Sequence, residues 1–331
     1  MRRLLSILAA GLLLCGAAAC GAGGCKGDRP ETPVTGASSD AGPASGSPSS
    51  EGVVPAIGGE NHSLYRLASG TMDVGNRYVS TLMLTADART RAASCSGILL
   101  NQRVALTAAS CVCLQWEDVT NGIPKKRLFD ASDCAERTFL KTVRYGAVGD
   151  WEYKEHTTVK SFQTLKGKVR VHPEFKLELD AQGAALTSHA DLAVIVLDSP
   201  LKERLPSVPL SESEVQENET LVMAGYASDV RFGGFPGIRY FRQNKVTQVP
   251  GVMDGRILYE QQAPFLYNGY TGGPCFREEK NHQWLAGIAS VGSDQELSFT
   301  STYFFRDWLR AELQRAATAD SPSAPQSPQP R

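Results

Sequence analysis

Short apolar runs, broken at short intervals, form the main pattern between residues 53 and 317. Many of the runs alternate apolar with polar positions or are rich in β-branched residues, and both habits favour β-strands. Clusters of Gly, Asn and Asp separate the runs, and this spacing predicts a closed all-β architecture. The predicted strands cover residues 78–84, 97–100, 104–107, 168–171, 192–197, 221–225 and 284–288.

A helical period replaces this pattern near the end of the domain. Phe305, Trp308, Leu309 and Leu313 are spaced i, i+3, i+4 and i+8, so that all four lie on one face of a helix. The sequence therefore predicts that a single α-helix closes the β domain.

The first twenty residues have the features of an export signal. A basic start at Arg2 and Arg3 precedes an apolar run at residues 4–14, which is too short to span a bilayer. The run Ala-Ala-Ala-Cys that ends at Cys20 resembles a bacterial lipobox, and this makes Cys20 the candidate for lipidation. Plain secretion is the alternative interpretation.

Two further segments cannot build a core. Residues 21–52 are rich in Gly, Ser, Pro and Ala, and residues 318–331 are rich in Ser, Pro, Ala and Gln. Both compositions are typical of disordered chain. We therefore expect a signal at 1–20, a linker at 21–52, one folded domain at 53–317 and a disordered tail at 318–331.

The charge of the chain and the spacing of its possible metal ligands bear on whether a nucleic acid or a metal is bound. The formal net charge is -1 and the basic residues are scattered, so electrostatics give no reason to expect a nucleic-acid partner. No pair of His residues has a convincing metal-ligand spacing, and none joins a Cys cluster. We expect neither a metal nor another cofactor.

Several motifs follow one another through the predicted domain. They are Ile57-Gly58-Gly59, Cys95-Ser96-Gly97, Leu106-Thr107-Ala108-Ala109-Ser110-Cys111, the run at residues 171–175, the run at residues 191–197, Gly225-Tyr226-Ala227, Gly269-Tyr270-Thr271-Gly272-Gly273-Pro274, the run at residues 287–292 and the run at residues 305–309. In this order they resemble the IVGG, CSG, TAAHC, HPxY, DIALLxL, GWG, GDSGGP, GIVSWG and YxxWI motifs of the trypsin/chymotrypsin family of serine proteases (peptidase S1). The resemblance implies two six-stranded antiparallel β-barrels with a C-terminal α-helix and a cleft between the barrels.

The same resemblance shows a degenerate catalytic triad. Ser110 stands where the family has His, Thr271 stands where it has the nucleophilic Ser, and Asp191 keeps the third position. A Ser hydroxyl cannot accept a proton near neutral pH as an imidazole does. Thr271 is internal and lacks the free N-terminal amine that serves as the base of threonine proteases. Loss of a triad costs about a million-fold in rate, so we expect no working protease.

The activation switch of the family is also altered. Tyr270 replaces the Asp that would receive a new N-terminal ammonium, and residues 53–56 carry no basic cleavage signal. The resemblance assigns the oxyanion-hole donors to the backbone of Gly269 and Thr271, which lose their usual anchor.

The resemblance also assigns a substrate cleft. Phe265 lies at the base of the primary specificity pocket and offers no carboxylate, so no preference for Lys or Arg follows. Ser290, Val291 and Gly292 lie on the strand that lines the cleft.

The cysteines indicate an oxidising compartment. The resemblance implies a Cys95–Cys111 disulfide, and Cys113 and Cys134 flank an insertion and are expected to pair. Cys275 is expected to be a buried free thiol.

Without a histidine to hold, Asp191 is expected to hydrogen-bond Ser110 and backbone amides, with Ser110 and Thr271 in one small polar cluster. We expect the five histidines at the surface or in turns. His189, two residues before Asp191, is the one candidate for a replacement base.

Three hypotheses follow. The first is an exported, non-catalytic trypsin-fold protein that binds a protein or peptide at a bacterial cell envelope, held to the membrane through Cys20. The second is a serine-type endopeptidase with an unorthodox triad. The third is a structural lipoprotein component of the envelope.

Overall fold

The computed structural model describes residues 70–85, 95–120, 123–146, 159–226, 238–249, 254–260, 270–280, 282–292 and 297–318. The predictions for the export signal, Cys20, the linker and the motif at Ile57 lie outside these residues, as do Phe265 and Gly269.

The first half of the described chain forms a closed barrel of six antiparallel strands, in the order β11-β4-β3-β2-β7-β8 with β8 paired back to β11. Its strands are β2 (Thr81–Thr85), β3 (Cys95–Leu99), β4 (Val104–Thr107), β7 (Arg137–Tyr145), β8 (Val159–Val171) and β11 (Ala193–Leu197). A short 3-10 turn at Ala109–Cys111 follows β4.

The second half forms another closed barrel of six antiparallel strands, in the order β13-β12-β15-β16-β17-β14, and β14 pairs back to β13. Its strands are β12 (Thr220–Gly225), β13 (Tyr240–Gln248), β14 (Arg256–Tyr259), β15 (Pro274–Glu279), β16 (His282–Ala289) and β17 (Leu297–Ser301). A two-residue strand, β1 (Thr71–Met72), pairs with the same edge of β13 as β14 does. The predicted all-β, double-barrel fold class is confirmed.

A four-stranded antiparallel sheet lies outside both barrels, in the order β10-β9-β6-β5. Its strands are β5 (Trp116–Thr120), β6 (Ile123–Asp130), β9 (Lys176–Leu179) and β10 (Ala185–His189). The first two come from the insertion between Cys113 and Cys134, whose polar sequence gave no strand prediction.

The strand predicted at residues 78–84 is shorter than expected. Tyr78 to Ser80 form a turn, and β2 is buried at every position rather than on alternate ones. Leu82 and Leu84 line the interior of the first barrel, whereas Met83 packs with Tyr226 on the opposite face. Burial on both faces follows because the second barrel covers the outside of the first.

The predicted helix is present as α1 (Arg306–Thr318). Leu309 is completely buried and packs, with Phe305, into the apolar cluster that both barrels share. Within the described part of the chain, no helix is long and apolar enough to cross a membrane.

A buried ion pair links the two barrels. The Arg239 guanidinium is inaccessible to solvent and donates to the Asp73 carboxylate at 2.6 Å, to the Tyr226 hydroxyl at 2.7 Å and to the Val143 carbonyl at 3.0 Å. Its backbone N–H donates to the Tyr145 hydroxyl at 2.5 Å. Val143 and Tyr145 belong to β7 of the first barrel, so this one arginine connects the barrels through polar contacts.

Candidate functional site

The site begins with a strained backbone turn that directs Asp191 inward. Ala190 has a φ of 51°, which is uncommon for a residue with a Cβ, and its carbonyl accepts from Leu192 N–H at 2.7 Å. The turn immediately precedes β11 and leaves the Asp191 side chain with no solvent exposure.

Hydroxyl and amide groups occupy both oxygens of the Asp191 carboxyl group. Ser110 donates its backbone N–H to Oδ1 at 2.7 Å and its hydroxyl to Oδ2 at 2.9 Å. The Ser290 hydroxyl also donates to Oδ2, at 2.6 Å. The predicted contacts of Asp191 with Ser110 and a backbone amide are confirmed.

Burial raises the pKa of the Asp191 carboxyl, and the hydrogen bonds from Ser290 and Ser110 oppose this effect. Among the residues that the structure describes, no Lys, Arg or His side chain pairs with this carboxyl. The cluster therefore contains a buried carboxyl group that accepts hydrogen bonds from hydroxyl and amide donors, and none of the described histidines contacts it.

The Thr271 segment forms a tight turn. Gly273 N–H donates to the Tyr270 carbonyl at 2.7 Å, and Gly272, the third residue of the turn, has a φ of 80°. A positive φ at the third position is the requirement of a type II turn, and Gly meets it without strain.

The same turn packs closely against the first barrel. A Cβ on Gly272 would lie 2.3 Å from the Ser96 carbonyl oxygen and 3.0 Å from Cys111 Sγ. Ser96 N–H also donates to the Thr271 carbonyl at 2.8 Å. The structure thus brings the Thr271 segment against the disulfide adjacent to Ser110.

Tyr270 occupies the core of the second barrel. Its ring is 1% exposed, and the Arg242 guanidinium lies 5.5 Å from the ring centroid. A Cβ on Gly225 would lie 2.7 Å from the Tyr270 ring, so this glycine makes room for it. An aromatic ring under a cation thus fills a position where the resemblance would have a carboxylate.

The cysteines of the described region agree with the predictions. Cys95 pairs with Cys111 and Cys113 pairs with Cys134. Cys275 is a buried free thiol, and burial raises its pKa well above the usual value. A thiol in that environment is a poor nucleophile.

The three described histidines lie away from the triad positions. His172 starts a turn, as expected, and its side chain is buried. It is 6% exposed because Phe305 and Trp308 cover it. His189 lies 3.4 Å from Glu174 and beside Phe305, and His282 is exposed beside Trp284. None of these three bonds to Asp191 or Thr271. His62 and His156 lie outside the described residues.

The predicted cleft strand has roles that the sequence did not reveal. Ser290 is buried and uses its hydroxyl to hold Asp191. Val291 packs against the core of the first barrel. The Gly292 carbonyl accepts from Ala185 N–H at 2.8 Å. A serine that ends a buried apolar run, as Ser290 does, was the available signal, because a buried hydroxyl needs a partner.

No group of three or more His, Cys, Asp or Glu side chains that could hold a metal ion occurs in the part of the chain that the structure describes.

Comparison with known proteins gives no family for this chain, so we classify it by its fold. No protein-family model matches the chain, and a search of curated proteins found no significant match. The two closed six-stranded antiparallel barrels fit a trypsin-like fold.

Proposed function

We propose that this chain is a catalytically inactive protein of the trypsin-like (peptidase S1) class that binds a protein or peptide outside the cytoplasm. The observation that carries the proposal is the contact of Ser110 with Asp191, at 2.7 and 2.9 Å. In a protease of this class the group that bonds the Asp would be an imidazole, which then takes the proton of the nucleophile.

The chemistry of the cluster supports the loss of catalysis. The Ser110 hydroxyl donates its proton to Asp191, and its remaining lone pairs belong to a very weak base. A hydroxyl needs a base in hydrogen-bond reach to become a good nucleophile, and the residue at the family's histidine position, Ser110, has no imidazole to supply one. The rate left after loss of a triad is about a thousand- to ten-thousand-fold over water, which is too low for a useful protease.

The surroundings of Tyr270 support the same conclusion. Its ring packs with the apolar side chains of the second barrel, including Met223 and Phe299. A phenol in this position cannot receive an ammonium group as a carboxylate would. The oxyanion loop therefore lacks the charged switch that would set it for catalysis.

A surface suited to binding lies on the four-stranded sheet. Leu114 and Trp116 are 65% and 48% exposed, although both are large and apolar. The Cys113–Cys134 disulfide beside Leu114 anchors this region. Tryptophan is enriched among the residues that contribute most to binding at protein interfaces, so Trp116 is the side chain that supports this assignment.

The location that we propose is the cell envelope. Two disulfides within the barrel domain favour an oxidising compartment. Together with the signal-like residues 1–20, they support export, with either a lipid anchor on Cys20 or free secretion.

A proteolysis assay tests the proposal. Mature chain purified from a protease-deficient host should release no more peptide from labelled casein than buffer does. The matched control is Thr271→Ala. Turnover by the natural chain that disappears in this variant would refute the proposal, whereas equal turnover in both would identify a contaminating protease.

A further inference from the structure

The hairpin formed by β9 and β10 lies directly against the predicted cleft strand. Strand β10 is the outermost strand of its sheet, with β9 on one side only. On its other side, Ala185 N–H donates to the Gly292 carbonyl at 2.8 Å, and Ala185 is 5% exposed. The free edge of β10 therefore meets the end of the cleft strand.

Two further observations place the hairpin beside the cleft segment, residues 290–292. The hydroxyls of Ser188 and Ser290 lie 3.4 Å apart, and both side chains are buried. Val291 packs against the apolar cluster that contains Leu177 and Ala185. Two of the three residues assigned to the cleft strand, Ser290 and Gly292, thus contact β10 directly.

The contact of β10 with Gly292 is a backbone hydrogen bond of the kind that a bound peptide makes. An extended polypeptide binds an exposed strand edge by adding backbone hydrogen bonds to it, with side chains in shallow pockets. Here β10 supplies the extended backbone, and its first residue, Ala185, is small enough to lie close to the edge. The acceptor at Gly292 is therefore already used within the chain.

We propose that the β9–β10 hairpin is a tethered occupant of the cleft, and that a polypeptide ligand binds the Ser290–Gly292 edge only by displacing β10. The proposal rests on the proposed binding function, because it adds the Ser290–Gly292 edge as a place where a polypeptide ligand binds. A segment tethered by a short link competes at an effective concentration of about a millimolar, so a weak ligand is excluded.

Displacement breaks the contacts of β10 with the cleft segment, and it requires β10 to separate from β9 or to move together with it. The direct contacts are one backbone hydrogen bond and one hydroxyl contact at 3.4 Å, which is long for an O–H···O bond. The pairing of β9 with β6 is separate from these contacts and can stay in place while β10 moves. Leu186 of β10 is 49% exposed, so its side chain adds little to the burial that holds β10 in place.

The variant Ala185→Pro tests the inference. Its ring removes the N–H that faces Gly292, and the bond from Asp180 N–H to the Ala184 carbonyl within the hairpin remains available. The matched control is Ala185→Gly, which removes the methyl group and keeps the N–H. The probe is fluorescein-labelled casein, an unstructured polypeptide, and its binding is followed by anisotropy.

We expect Ala185→Pro to bind the probe about ten-fold more tightly than the natural chain, with Ala185→Gly close to the natural chain. Equal, measurable binding by all three proteins would overturn the tethered occupant and leave the proposed binding function intact. Absence of binding by all three would overturn both. Hydrolysis of casein by the proline variant would overturn the loss of catalysis while leaving the occupant in place.

Hydrogen exchange in the natural chain keeps the inference testable if the proline variant does not fold. The Ala185 amide should exchange at least about a hundred-fold more slowly than an unstructured amide, because it donates to Gly292. Exchange at the unstructured rate would contradict the inference.

Discussion

The two oxygens of Asp191 distinguish this site from a catalytic one at the scale of single residues. Ser110 donates to both oxygens and Ser290 donates to Oδ2, and the carboxyl has no contact with solvent. The triad positions were predicted from motifs, because each replacement stands inside a short run of recognisable neighbours. The part played by Ala185 was not predicted, because it depends on pairing with Gly292, more than a hundred residues further along the chain.

The buried Asp191 carboxyl predicts a pH effect on stability. Burial raises the pKa of Asp191 in the folded protein above the ordinary value of 3.8 that applies to the unfolded chain. At a pH between the ordinary pKa and the raised pKa, the folded chain therefore binds more protons than the unfolded chain. The contribution of Asp191 to the free energy of unfolding therefore decreases as pH rises through this window.

The comparison of the natural chain with Asp191→Asn isolates this contribution. Urea unfolding of both proteins from pH 3.5 to pH 7.5 should give a difference in the free energy of unfolding that shifts in favour of the Asn variant as pH rises. A difference that is constant across the range, or that shifts in the opposite direction, would contradict the raised pKa.

At the scale of elements, the strands that sequence predicts are those whose apolar runs become barrel walls. Val104–Thr107 was predicted with its observed bounds because all four residues are buried. The four-stranded sheet was missed because β5, β6 and β9 mix charged residues with isolated apolar ones. Its strands form through long-range pairing, which local patterns do not report.

The buried ion pair of Arg239 with Asp73 predicts an effect on stability at this scale. Arg239→Met should lower the free energy of unfolding by about 3–5 kcal/mol, because it leaves the Asp73 carboxylate buried without its cation. The measurement is urea denaturation at neutral pH. Lys126→Ala breaks an exposed pair with Glu178 and should cost less than about 1 kcal/mol. Similar costs for the two variants would contradict the account of Arg239 as the buried partner of Asp73.

At the scale of the whole molecule, the fold of the barrels and the loss of chemistry are separate properties. The turn at Gly272, the disulfide at Cys111 and the bonds to Asp191 all form without an imidazole or a nucleophilic serine. None of these contacts of the barrel framework uses a catalytic imidazole or serine. Sequence motifs predicted this framework well, whereas the contact of Ala185 with Gly292 required the structure.

Restoring the lost side chains tests whether the triad alone is missing. The triple variant Ser110→His, Tyr270→Asp and Thr271→Ser should turn over casein at least about a hundred-fold more slowly than trypsin does. The new carboxylate at position 270 has no cleavage-derived ammonium to pair with, and β10 still covers the cleft. The double variant without Tyr270→Asp is the control. Activity comparable to trypsin in the triple variant would refute the account of the switch.

The most direct measurement of the central claim is the mass of the intact protein after treatment with a fluorophosphonate. This reagent forms a covalent adduct with an activated hydroxyl and spares an ordinary one. The account predicts no adduct on Ser110 or Thr271 after prolonged exposure at pH 7.5, with trypsin labelled in parallel. An adduct that forms on the natural chain, is absent from Thr271→Ala or Ser110→Ala, and is lost on heat denaturation before treatment would contradict the claim that these positions no longer hold an activated nucleophile.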